Sequence, residues 1–183
     1  MNVDINRIEK YMLYSLVDHK TGRNIKKFHL LGGCVFCLFA IFFVLGGPLI
    51  FLSNIENVYL YNFFLTWSFL PIIALPIIPL VTVKKNNRSM NSSRWDSTPE
   101  QLSADLTKRK LKSGGISGGA IGVMVLFLSQ TVDQDIFAAM ILVLGVVMGV
   151  ASFSFACKHF HAAYVIGKYA PYFKDERLRG PTE

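Results

Sequence analysis

The sequence predicts an all-α integral membrane protein. Four transmembrane helices form two antiparallel hairpins, preceded by an interfacial amphipathic helix at the N-terminus. Three observations predict it. Of 183 residues, 52% are hydrophobic and 17% charged, whereas soluble domains carry about a quarter charged residues. Residues 28–52, 58–83, 113–132 and 136–157 contain no Lys, Arg, Asp or Glu. A run of ~20 apolar residues crosses a hydrocarbon core of ~30 Å, and lipid forces the backbone to satisfy itself as helix.

The third observation is where the charges fall. Six Lys/Arg precede residue 28, eight lie in 84–112 and five follow 157, which accounts for all 19. The intervening loops, 53–57 and 133–135, carry Glu56, Asp133 and Asp135 and no base. Basic residues stay on the cytoplasmic side, so both termini are expected there. The formal charge of +7 is thereby a topology signal. Nucleic acid is not expected as a partner, because no basic patch is left over to meet phosphates. The first 27 residues are charged throughout, so the first span is read as its own uncleaved insertion signal.

The elements follow in order. In the cytoplasmic arm, 1–27, Ile5, Ile8, Met12 and Leu16 mark one helical face with Tyr11 and Tyr14 beside it. A helix of this kind lies on the cytoplasmic leaflet; a short helix packed on the protein's own loops is the alternative. The first hairpin, 28–83, has a Gly46-Gly47-Pro48 run that loosens the end of its first helix. Tyr59, Tyr61 and Trp67 suit the outer interface. Pro71, Pro76 and Pro79 crowd the cytoplasmic half of the second helix. No polar side chain gathers there, so they are read as a fixed kink rather than a substrate gate.

The cytoplasmic loop, 84–112, is expected to begin as a polar loop over 84–93. Ser97-Thr98-Pro99-Glu100 then opens a basic helix. Trp95, Lys108, Arg109, Lys110 and Lys112 are the candidate contacts for a partner or for anionic lipid. The second hairpin, 113–157, carries glycines at intervals of four: Gly114, Gly118 and Gly122, with Gly115 and Gly119 beside them, then Gly145 and Gly149. Such rows let helix backbones approach closely. The two rows lie at different depths, so one is free to pack inside the chain and the other against a second protein. The tail, 158–183, extends the last helix until Pro171 ends it.

Few residues carry chemistry. Cys34, Cys37, Cys157, His159 and His161, with His29 at a similar depth, are types that bind a soft metal. Their spacing is weak, and the plainer reading is small apolar cysteines and headgroup-level histidines. All four histidines, His19 included, fall at or outside the cytoplasmic edge, which disfavours a haem between helices. No Lys, Arg, Asp or Glu lies within a span, where a proton or ion carrier would place an acid or base. No nucleophile, zinc-protease or phosphate-loop motif is present, so neither an enzyme nor a cofactor is expected.

The expectation is a non-catalytic polytopic subunit of a larger inner-membrane assembly of the secretion or transfer type. Its partners would be membrane lipids and other membrane subunits, or further copies of itself. A membrane-resident immunity or exclusion protein that blocks a toxin or transfer apparatus is the alternative. A homo-oligomeric, holin-like pore is a further one. The bacterial inner membrane is the expected location.

Overall fold

A computed structural model describes residues 4–16, 22–46, 52–53, 56–98, 100–102 and 133–179. Every regular element among the described residues is helical. The elements are α1 (Ile5–Leu16), α2 (Gly22–Ile41) continued by a π-helical segment (Phe42–Gly46), α3 (Val58–Ala74) and α4 (Ile77–Met90). A 3-10 turn (Ser93–Asp96), α5 (Gln134–Tyr169), a second 3-10 turn (Ala170–Tyr172) and α6 (Glu176–Arg179) follow. The chain divides into two compact units. Met1–Gly33, Val81–Gly114 and Cys157–Glu183 form the first; Cys34–Leu80 and Gly115–Ala156 form the second.

Among the described residues two helices, Arg23–Gly46 and Asp135–Tyr172, are long and apolar enough to cross a membrane, where the sequence led us to expect four. The reasons differ for the other two. Residues 113–132 lie outside the described residues. The 58–83 stretch is broken at Leu75-Pro76, which leaves α3 with 17 residues, about 26 Å of helix. Pro76 has no N–H for the carbonyl four residues back, so the helix stops there. Pro79 lies in the first turn of α4, where a missing donor costs nothing. Pro71 stays inside α3, and the Leu75 N–H still reaches its carbonyl at 2.9 Å.

The first unit is built around side chains brought from distant parts of the sequence. Asp4 caps α1, its Oδ1 accepting from the Asn6 and Arg7 amides at 3.1 and 3.4 Å. The apolar face of α1 then enters the core. Ile8, Tyr11 and Met12 cluster with Ile25, Met90, Trp95, Leu102, Val165, Ile166, Phe173 and Leu178. This corrects the interfacial-helix expectation: with Ile8 at 3% and Met12 at 0% exposure, that face meets protein, not lipid. The expected polar loop at 84–93 is also corrected. Helix α4 runs on to Met90 because Asn86 and Met90, four apart on one face, are both anchored inside. The next helix starts one residue later than expected. Leu102 N–H bonds the Thr98 carbonyl at 3.0 Å, and the Thr98 amide donates to Gln101 Oε1 at 3.4 Å, half of a capping box.

In the second unit Asn57 precedes α3 and its Oδ1 accepts from the Tyr59 amide at 3.0 Å, and Asp133 precedes α5 and its Oδ1 accepts from the Asp135 amide at 2.9 Å. Leu52, Ala138, Ala139, Leu142 and Val146 form a small core, with Leu65 and Val143 against it. The turn to π geometry at Phe42–Gly46 leads into the glycine-proline run. Helix α5 has 36 residues, about 54 Å, well beyond a ~30 Å hydrocarbon core. It ends at Tyr169, with Pro171 in the first turn of the 3-10 segment after it.

Candidate functional site

Two polar groups sit inside the first unit, a trio and a pair. Tyr11 on α1 donates its hydroxyl proton to Asn86 Oδ1 on α4 at 2.7 Å. The amide nitrogen of Asn86 lies 2.6 Å from His161 Nδ1 on α5. The amide donates, so that ring nitrogen is unprotonated. One asparagine thereby ties three helices together. The pair is His29 on α2 and His159 on α5, Nδ1 to Nδ1 at 2.9 Å. One ring must donate and the other accept, so the two carry different tautomers. His29 is 1% exposed, and its Nε2 has no hydrogen-bond partner among the described residues. The sequence signal for this pair was only the shared depth of the histidines.

Gly32 and Gly33 allow the approach of α2 and α5 here. A Cβ on Gly32 would stand 3.0 Å from His159 Nδ1, and one on Gly33 would stand 2.7 Å from the Phe160 ring. These glycines were not among the packing residues that the spacing singled out. Within the second unit a Cβ on Gly149 would come within 2.6 Å of Val44 Cγ2 and 3.4 Å of the Val44 amide. Gly145 is looser, 3.9 Å from the Phe43 carbonyl. The Gly145/Gly149 row therefore faces the π-helical segment of the same chain. Gly114, Gly115, Gly118, Gly119 and Gly122 lie outside the described residues, as do Lys108, Arg109, Lys110 and Lys112.

Trp95 corrects the contact expectation. It is 3% exposed, its Nε1–H donates to the Ser89 carbonyl at 2.7 Å, and its ring meets Tyr11 edge-on at 5.3 Å. A side chain so enclosed is a core anchor, not a lipid or partner contact. The 3-10 turn that places it is capped by Ser92, whose hydroxyl accepts from the Arg94 amide. Arg7 holds the same turn from α1, with Nε and Nη2 on the two Asp96 oxygens at 2.9 and 2.7 Å. The Asp96 hydrogen bonds raise the Arg7 guanidinium above its ordinary value.

The soft-metal set does not come together. His159 and His161 are two apart on a helix, about 200° around its axis, so they face different neighbours. His159 meets His29, and His161 meets Asn86. Cys34 is exposed, Cys37 and Cys157 are half-buried, and none of the three forms a disulfide. No group of three or more His, Cys, Asp or Glu that could hold a metal occurs among the described residues.

Set against protein families, curated proteins and solved structures, the chain matches none.

Proposed function

We propose that this chain is a non-catalytic integral membrane subunit of a larger assembly, of the secretion or transfer type, in the bacterial inner membrane. Both termini would face the cytoplasm. The observation that carries the reading is the exposed apolar surface of the long helices. Leu31, Leu38, Ile41, Phe42 and Val147 are each more than half exposed. In water such a surface would drive association; in a bilayer, lipid tails and partner helices cover it. The basic residues of 84–112 and both ends support the orientation.

The subunit reading adds a role to each part. The Gly145/Gly149 row is occupied within the chain by Phe43 and Val44. The row at Gly114, Gly118 and Gly122 is the one left by its sequence spacing to meet a partner. The first unit, with its own core, is a folded platform on the cytoplasmic side.

The test is the mass of the particle extracted from native membranes in mild detergent. A stoichiometric complex with other membrane proteins, lost in a Gly118→Leu variant that still inserts, supports the reading. A bare monomer overturns it and leaves the blocking role of an immunity or exclusion protein. A homo-oligomer that makes vesicles leak overturns it in favour of a pore.

A further inference from the structure

Within the first unit, α2 and α5 border an open groove of about 510 Å³, inside the size range of small-ligand sites. Lys26 and Lys168 stand at it, Leu30, Phe160 and Tyr164 form its apolar wall, and Gly167 leaves a gap between them. None of the lining residues is acidic, and no carboxylate pairs with either lysine among the described residues. The Lys168 ammonium lies over the Tyr164 and Tyr169 rings at 5.8 and 5.3 Å, which holds it in place without neutralising it. The Lys26 side chain lies across Gly167, where an added Cβ would be 3.0 Å from its Nζ.

Position supplies the rest. From Phe28 to Gly46 the first long helix has no charged residue. That stretch is about 28 Å long, close to the ~30 Å of a hydrocarbon core. Lys26 precedes it by two residues, which is the level of the headgroups. The side chains just beyond are exposed: Phe28 at 48%, Leu30 at 42% and Leu31 at 68%. Two cations without a carboxylate partner among the described residues stand beside an apolar wall, Lys26 two residues before a hydrocarbon-length stretch and Lys168 across the groove from it, and they complement a phosphodiester carrying an acyl chain.

We propose that this groove binds the headgroup of an anionic phospholipid, with Lys26 and Lys168 on the phosphate and Leu30, Phe160 and Tyr164 against the first acyl carbons. The assignment rests on the membrane reading above. It is separate from the basic residues of the 84–112 loop.

The full-length protein in mild detergent would be titrated with dioleoyl-phosphatidylglycerol or dioleoyl-phosphatidylcholine, and bound lipid counted by native mass spectrometry. The anionic lipid is expected to be preferred about tenfold, from two basic groups near the phosphate. The double variant K26Q/K168Q should bring the preference to within about twofold, the level of general surface attraction. K85Q/K174Q, which removes the same charge elsewhere, should leave it intact. Gly167→Val keeps both lysines but displaces Lys26 from the gap, and should also lose the preference, which covers the case in which the double variant fails to fold. A wild-type protein without the preference, or an equal loss in K85Q/K174Q, overturns the proposal. So does displacement of the lipid by inorganic phosphate at matched concentration, which would make the site a phosphate site. Alkaline carbonate extraction separates the two readings. Release of the wild-type protein from membranes ends the membrane reading, whereas a retained protein without lipid preference ends only the groove assignment.

Discussion

In the first unit Met12, Leu102, Ile166, Phe173 and Leu178 are shut away from solvent. In the second, Leu38, Ile41, Phe42, Ile73 and Leu80 stand more than half exposed. The polar groups differ in the same sense. The first unit joins distant segments through side chains, Arg7 to Asp96, Tyr11 to Asn86 and His29 to His159. In the second unit Thr66 Oγ1 bonds the Asn62 carbonyl, Asn57 Oδ1 the Tyr59 amide and Asp133 Oδ1 the Asp135 amide, each within about one turn. The first unit holds a core of apolar residues and joins distant segments through polar side chains, the pattern that water imposes. The second holds many of its apolar residues outward, the pattern that suits hydrocarbon. The contrast weakens at Phe28, Leu30 and Leu31, next to the proposed lipid groove, and at Val81, Tyr164 and Tyr172, where the first unit also exposes apolar side chains.

The sharpest way to break the contrast is to empty the core of the first unit. Trp95→Ala should cost about 3–5 kcal/mol, the range for deleting a large buried aromatic. Limited proteolysis should then cut within 81–98 while the protein remains in the membrane fraction. Equal loss of membrane retention would show that the two units do not fold by separate rules.

Next in size is the glycine contact of the second unit. Gly149→Ala puts a methyl against a stiff β-branched Val44 and near its backbone. It should destabilise the detergent-solubilised protein by about 1–3 kcal/mol. Gly33→Ala first meets the Phe160 ring, a partly exposed side chain that can swing away, and should cost less. Thermal melts of the two variants in one detergent check the order; a reversed order would mean that the ring at Phe160 is the more rigid partner.

Asn86→Leu probes the polar side of the first unit. It removes the hydrogen bonds of Asn86 to the Tyr11 hydroxyl and to the His161 ring from a buried site, at about 1–3 kcal/mol. The same Asn→Leu change at exposed Asn62 in α3 should be near neutral.

The smallest effect concerns pH. Hydrogen bonds from Arg177 hold the Asp175 carboxyl below its ordinary value of 3.8. The folded value is the lower one, so the contribution is present above pH 3.8 and is lost as pH falls through the folded value. Asp175→Asn should remove that part of the acid dependence of unfolding and change nothing at neutral pH beyond the lost pair. An unchanged acid limb would show that the exposed pair contributes nothing.

Much of the layout was legible because it depends on counting. The helical face of Ile5, Ile8 and Met12 follows from spacing, and so do the long apolar helices and the end of α5 before Pro171. What covers a face does not follow from spacing. The apolar stripe of α1 fits lipid and a protein core equally well, and only the arrival of Trp95 and Phe173 decides between them. Trp95 itself looked like an interface residue because tryptophan, with one polar edge, suits both settings. Gly145 and Gly149 show their spacing, whereas Gly32-Gly33 lacks the interval of four.

The candidate site was the least legible part. The histidines were visible as types, but their pairing depends on which helix faces which. His159 and His161 diverge because a helix turns about 100° per residue, and His29 meets one of them only because α2 and α5 come close at Gly32 and Gly33. Lys26 and Lys168 are 142 positions apart and share a groove for the same reason. The sequence by itself determined the helical class and the segregation of charge, because hydrophobicity and helical period are properties of neighbours along the chain. The tertiary structure decided which apolar face is core, which histidines pair and where two lysines converge. Those are contacts between segments whose separation in sequence sets no distance in space.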